Sequence, residues 1–366
     1  MSDDQGGSAV AEQGLTGATA AVASFDDEHP SPLRRLQHFF HQYPTTIPFL
    51  ILLIALVAFI FVTGGRFLNP LNLSLILTQV TLIALLGTAQ TLVIITAGID
   101  LSVGAIMVLS SIVMGKLAVD YQVPVPLAFG AGILTGLACG AFNGVLVTML
   151  RLPPFIVTLG TWSIFAALVT LISQAATIRK VDLEASAPFL LSMGERISLG
   201  NGPSGTPAGG PFLMYGSILM LLVAVITWYM LSRTAFGRHV YAIGDDPNAA
   251  RLAGIQVNRR LVAVYSLAGL ICAIAGWVLI GRVGAVSPLG NQTANLDAIT
   301  AVVIGGTSLF GGRGAILGTL FGALIVGVFD SGLSLTGVDP LWRQLTVGAL
   351  IIVAVSIDQW IRRISA

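Results

Sequence analysis

The sequence predicts an all-α, polytopic helical membrane protein of about ten transmembrane helices, with amino and carboxyl termini both cytoplasmic. Three observations lead there. Charged residues make up 10% of the 366-residue chain, well under half the roughly 25% of an ordinary soluble domain. Apolar runs such as "TTIPFLILLIALVAFIFVTGG" (Thr45–Gly65) recur along most of the length and approach the roughly 20 residues that cross a hydrocarbon core. Arg34 and Arg35 precede the first run, and Arg362 and Arg363 follow the last. An even number of crossings therefore leaves both pairs on the side where basic residues accumulate, together with the largest cluster, Arg233, Arg238, Arg251, Arg259 and Arg260.

The elements follow in chain order. Residues 1–33 are polar, acidic and rich in Gly, Ala and Ser, and predict a disordered cytoplasmic tail without the basic-then-apolar order of a secretory signal. Residues 34–46 form a basic amphipathic segment leading into the first span. "PLRRLQHFFHQY" (Pro32–Tyr43) either lies along the membrane surface or serves as a basic flank that fixes orientation. The transmembrane domain occupies 47–362, with spans at 47–63, 74–96, 102–118, 125–148, 155–173, 213–232, 259–281, 297–310, 315–334 and 342–361. Trp228, Tyr229, Trp342 and Trp360 fall near span ends, as interfacial aromatics do. The long connection at 174–212 contains "GNGPSGTPAGG" and reads as a flexible external loop with one short surface helix.

Lipid gives helices no hydrophobic reason to associate, so small residues that let backbones approach do much of that work. Gly132, Gly136, Gly140 and Gly144 put one such stripe on the fourth span, and Gly314, Gly318 and Gly322 another on the ninth. Either packing inside one subunit or a seam between subunits accounts for them. Cys139 and Cys272 lie in apolar runs without metal-ligand spacing and read as small buried residues.

Acids near membrane depth are costly and face protein or water. Asp100 in "ITAGIDLSVGAI" has two roles open to it. Either it or Ser102 caps the third span where Gly98 lets the chain turn, or it lines a broken-helix site along a solute path. Asp297, at the start of the eighth span, has the same pair of roles. Asn143, Thr158, Thr161, Ser163, Thr300 and Gln90 add uncharged hydrogen-bonding groups within spans. As a set they suit a wet path for an uncharged hydroxylated solute better than an ion path. The histidines, His29, His38, His41 and His239, all lie outside the predicted spans, which argues against a proton relay and against intramembrane catalysis.

The sequence has no phosphate loop, nucleophile elbow, zinc-binding pair or dinucleotide fingerprint. No catalytic residue, metal ligand or bound cofactor is expected, and energy for uphill transport must come from another chain or an ion gradient. A net charge of +1 offers no field for nucleic acid.

One polar interruption stands out, "GRHVYAIGDDPNAARLAGI" (Gly237–Ile255), inside the loop 233–258. Asp246 is placed to cap a helix, Pro247 to begin it, Asn248 to Ala253 to make one or two turns, and Gly254 to end it. So short a helix is unstable alone and must dock on something. It is either an ordinary connector whose arginines set topology or a knob that enters a cytoplasmic motor protein.

"VIITAGIDLSVGAIMVLSSIV", "GRHVYAIGDDPNAARLAGI" and "LDAITAVVIGGTSLFGGRGAILGTLFGALIVGVFDSGL" closely resemble the permease subunits of bacterial ATP-binding-cassette monosaccharide importers, over roughly 40–362. Ribose, xylose and fructose permeases belong to that group. The resemblance implies a permease homodimer among inner-membrane lipids. Cytoplasmic ATPase subunits beneath it would use the ATP, and a periplasmic sugar-binding protein would dock above. The family's ATPase-contacting segment maps onto Gly244–Ile255, so the resemblance implies coupling roles for Gly244, Asp246, Pro247, Ala249, Ala250, Arg251 and Gly254. Asp100, Ser102, Asn143, Thr158, Thr161, Asp297 and Thr300 are the candidates for the substrate pathway. Ala97 stands where a second glycine is commoner in the family, and Asp330 where asparagine is expected. Two rivals remain open: a branched-chain amino-acid permease of the same class, and an ion-coupled transporter or channel acting alone.

Overall fold

The computed structural model describes residues 45–202, 209–290 and 293–339, with scattered positions between 341 and 356. The predicted tail at 1–33, nearly all of the segment at 34–46 and most of the tenth span lie outside the described residues. The chain is a helical membrane protein. Seven described helices are long and apolar enough to cross a bilayer: α2 (Pro70–Ile95), α3 (Val103–Gly115, extended to Asp120), α4 (Val125–Met149), α5 (Pro154–Ser173), α7 (Tyr215–Arg233), α10 (Val257–Val283) and α12 (Ile316–Leu335). Two more, α1 (Thr46–Val62) and α11 (Ala294–Ile304), are apolar but shorter. Eight of the nine predicted spans from 47–63 to 315–334 coincide with one of these helices, whereas the predicted 297–310 is helical only to Ile304 and continues as turns.

Local chemistry explains most of the boundaries. Asn69 caps α2 by accepting from the Leu71 amide at 2.9 Å, and Pro70 occupies the first helical position, where the missing N–H costs nothing. Prolines likewise open α4 and α5. The final turn of α3 widens to a π-helix over Lys116–Asp120, and Lys116 Nζ meets Asp120 Oδ2 at 2.6 Å. An ammonium at the end of a span thus leaves the apolar layer with its counterion.

The α5–α7 connection holds more structure than the single surface helix predicted for it. Helix α6 (Lys180–Ser186) is followed by a 3₁₀ segment, Pro188–Gly194, and by a two-stranded hairpin, β1 (Arg196–Ser198) with β2 (Phe212–Met214). Three-residue strands flanking a glycine-rich loop have too little alternation to be read from sequence. Outside the spans here, hydrogen bonds from Arg179 hold the Asp182 carboxyl below its ordinary pKa.

Helices α2, α3 and α10 form the middle of the bundle, with α4 along α10 and α12 against α2, α11 and α1. The glycine stripe of α4 is used within the chain. A Cβ on Gly136 or Gly140 would run into the α10 backbone at Gly269 and Tyr265, and one on Gly144 into Val262. Gly132 faces Met114 of α3. Gly318 and Gly322 of α12 press in the same way on Gly305 and Ala301. Leu127, Leu134, Leu171 and Val225 are exposed on the outer faces, where lipid is as good a solvent as a neighbouring leucine.

Candidate functional site: a clamped helix break and a capped knuckle

Between α2 and α3 the chain leaves helical geometry over residues 96–102. The turn was expected at Gly98, but the left-handed residue is Ala97, with φ 61°. Gly98 is needed for space instead, because a Cβ there would press on the Tyr265 hydroxyl and on Val93. A positive φ strains alanine and suits glycine.

Irregular backbone at membrane depth must find its hydrogen bonds inside the protein, and here three helices supply them while a fourth holds the Ser102 side chain. Gln90 of α2, with its amide turned to satisfy both partners, donates to Asp100 O and accepts from Asp100 N, each at 3.1 Å. Thr158 of α5 donates to Ile99 O at 3.0 Å and accepts from Leu101 N at 3.2 Å. Asn295 of α11 donates to Leu101 O and accepts from Gly104 N, both at 2.6 Å. Asn143 of α4 donates to Ser102 Oγ at 2.7 Å, and that hydroxyl donates to Asp100 Oδ1 at 2.6 Å. The same carboxyl oxygen accepts from the Ser102 amide at 2.7 Å, an Asx turn ahead of α3. Ser102 occupies the N-cap position of α3 but makes no capping bond with its own side chain. Asp100, Ser102, Asn143 and Thr158 are all buried.

The structure therefore brings together four of the seven pathway candidates. Thr161 and Thr300 are buried but bond back within their own helices, to Thr158 O and Leu296 O. Asp297 accepts from Thr293 one turn earlier. Sequence reasoning missed Asn295, whose amide two residues before Asp297 was the available signal. It also missed Tyr265, whose hydroxyl is buried beside Gly98 without a partner. Asp330 accepts from Gln79 of α2 at 3.1 Å, so it is tied to a neighbouring helix.

The second feature is the polar loop at 233–258. Its short capped helix is α9 (Pro247–Leu252). Asp246 Oδ1 accepts from the amides of Asn248 at 2.7 Å and Ala249 at 3.1 Å. At the far end Gly254 has φ 84°, its amide bonds Arg251 O at 3.0 Å, and the Ile255 amide bonds Ala250 O at 3.1 Å. Those two bonds make a Schellman cap, which asks for glycine at this position. Unanticipated is α8 (Ala235–Asp245), which precedes α9. Its apolar spacing of Phe236, Val240 and Ile243 was the overlooked helical signal.

α9 is fastened to α8 and to the start of α10 by a small apolar cluster of Ile243, Ala250 and Val257. α8 is in turn fastened to the helix break. A Cβ on Gly244 would overlap Ile95 O and press on Gly312 N, and the Gly312 amide bonds Ile95 O at 2.9 Å. Tyr241 donates to Gly314 O at 2.8 Å, and burial pushes its phenol pKa up. Of the seven residues expected to couple, Gly244 and Ala250 are buried packing contacts, whereas Asp246, Pro247, Ala249, Arg251 and Gly254 are exposed. Leu252, which sequence reasoning passed over, is 91% exposed at the tip. The knuckle thus presents an apolar and basic surface at one end and touches Ile95, two residues before Ala97, at the other.

Comparison with known proteins adds an independent line. The family described as branched-chain amino acid transport system / permease component matches residues 72–355. The fructose import permease protein FrcC of Rhizobium meliloti is 52% identical over 355 residues, covering 97% of this chain and 96% of its own. The ribose import permease protein RbsC of Bacillus subtilis (strain 168) is 40% identical, over 85% of this chain and 92% of its own. The D-allose transport system permease protein AlsC of Escherichia coli (strain K12) is 35% identical, over 89% and 94%. No solved structure matches.

Proposed function

This chain belongs to the branched-chain amino acid transport system / permease component family, on its side with the bacterial sugar-import permeases, and we propose that it carries a monosaccharide, fructose first, under the drive of a separate ATPase. It is the membrane-spanning permease subunit of an ATP-binding-cassette monosaccharide importer. The observation that carries this is 52% identity to a fructose import permease along 97% of the chain. The amino-acid wording of the family description is outweighed by relatives that are sugar permeases.

The working unit we propose is a permease homodimer in the lipids of the bacterial inner membrane, each copy with about ten spans and cytoplasmic termini. Two ATPase subunits bind beneath it and use the ATP, and a periplasmic sugar-binding protein docks above. The exposed face of α9, Asp246 to Gly254 with Leu252 at its tip, receives the ATPase. Its movement passes through the apolar cluster to α8, and through Gly244 to the end of α2. The break at Ala97–Ser102 then shifts as a unit, because Gln90, Asn143, Thr158 and Asn295 hold it from four helices. Asp100, Ser102, Asn143 and Thr158 shape the wall of the sugar path, and Thr161, Asp297 and Thr300 continue it. A path rich in hydroxyls and amides, with its two carboxyls bonded to Ser102 and Thr293, favours an uncharged polyol and leaves selectivity mainly to the binding protein.

The test is reconstitution in liposomes with the ATPase and binding protein encoded alongside, scoring uptake of labelled fructose, ribose and leucine. ATP-dependent uptake of a sugar is the expected result. Leucine uptake, or sugar flux driven by an ion gradient with no ATPase present, would overturn the proposal.

A further inference from the structure

Beside the knuckle lies a cavity of about 500 Å³, lined by His239 of α8, Ala253–Ile255 at the end of α9, and Gln256, Arg259 and Arg260 at the start of α10. We propose that it receives an acidic side chain of the ATPase subunit, held between Arg259 and Arg260. The proposal rests on the coupling role given above to α9, and it names the chemistry of that contact.

Every ionisable side chain lining the cavity is basic. Among the described ion pairs, none involves Arg259 or Arg260. Arg259 donates to Gln256 Oε1 at 2.9 Å, and Arg260 lies over the Phe236 ring at 5.9 Å. The contacts described for both guanidinium groups are thus with neutral partners, and no acid pairs with either among the described residues. The Nδ1 of His239 is buried without a hydrogen-bond partner. The α9 carbonyls of Ala250 and Arg251, which would repel an anion, are already occupied by the Schellman cap.

Two guanidinium groups lining one cavity offer an entering carboxylate charge-assisted hydrogen bonds from both sides of it. The cavity's wall includes the C-terminal cap of α9, next to Arg251 and Leu252, so an ATPase seated on the knuckle covers the opening. A volume of about 500 Å³ also accommodates a loop carrying the acid.

The experiment measures binding of the ATPase encoded alongside to the permease in phosphatidylcholine nanodiscs, at low and high ionic strength. Arg259→Gln is expected to weaken binding about tenfold at low salt, with the difference shrinking at high salt. Arg259→Lys is expected to keep most of the affinity, and a Lys exchange of one acidic residue on the ATPase to restore binding to Arg259→Glu. Leu252→Glu separates this proposal from the coupling role. If Leu252→Glu loses the ATPase while Arg259→Gln and the Arg259→Gln/Arg260→Gln pair keep full affinity, the cavity assignment fails and the coupling role stands. If Leu252→Glu also binds normally, both fail. Should Arg259→Gln change only the response to phosphatidylglycerol in the nanodisc, the cavity is a lipid site and the proposal is overturned.

Discussion

The helix break around Asp100 and the knuckle around Arg251 are both polar interruptions of an apolar chain, yet they are built in opposite ways. At the break, side chains from α2, α5 and α11 satisfy the backbone of 99–104, and Asn143 of α4 holds the Ser102 hydroxyl, with bonds of 2.6–3.2 Å. At the knuckle, backbone groups are satisfied by local caps, while Arg251 points outward and Leu252 is 91% exposed. A region whose backbone is bonded by side chains of neighbouring helices is part of the protein's frame. One that holds its shape but leaves its charges and its apolar tip uncovered is built for a partner. Substitutions should therefore cost folding stability at the break and cost activity alone at the knuckle.

The largest loss of stability is expected at the joint between the two regions. Gly244→Leu forces a side chain into Ile95 O and Gly312 N, and overpacking of this kind costs about 1–3 kcal/mol or more. Poor recovery of folded protein from the membrane, by fluorescence-detected size exclusion, checks it. Asn295→Leu comes next, because it strands Leu101 O and Gly104 N. Each of these part-buried orphans costs about 1 kcal/mol, the lower end of the range for buried groups, read as a lowered melting temperature in detergent. Recovery of wild-type stability in either variant would break the contrast.

A smaller effect of opposite sign is expected for Ala97→Gly. Its φ of 61° strains alanine by about 1–2 kcal/mol, part of which glycine gives back as unfolded-state entropy. A rise in melting temperature of a few degrees is the expected result. Smallest of all on stability is Arg251→Glu, within about 0.5 kcal/mol as for other exposed sites. It should nevertheless abolish uptake in proteoliposomes while the protein inserts and melts normally. Normal transport in that variant would remove the functional half of the comparison.

Much of this was legible from the residues alone. Eight helices fall where apolar runs predicted them, and a ninth, α11, covers the first part of its predicted span, since a run of that length has few alternatives in lipid. The caps of α9 were equally readable, because Asp246, Pro247 and Gly254 act within two or three positions of themselves. Less was visible of the break. Gly98 looked like the turning residue, but the left-handed conformation falls on Ala97, and Gly98 is required by the space that Tyr265 and Val93 occupy. α8 escaped notice because its apolar face is short and its polar face resembles a loop.

Hydropathy and capping are local, so the sequence by itself determined which segments are apolar enough to cross a membrane, where the interruptions fall and how the knuckle ends. The pairing of groups far apart in the chain is not local. Asn295 reaches Leu101 across 194 residues, Thr158 reaches Ile99 across 59, and Gly244 meets Ile95 only because α8 folds back beneath α2. Only the tertiary structure decided those contacts, because a buried backbone group takes whichever partner the packed helices bring within hydrogen-bonding distance.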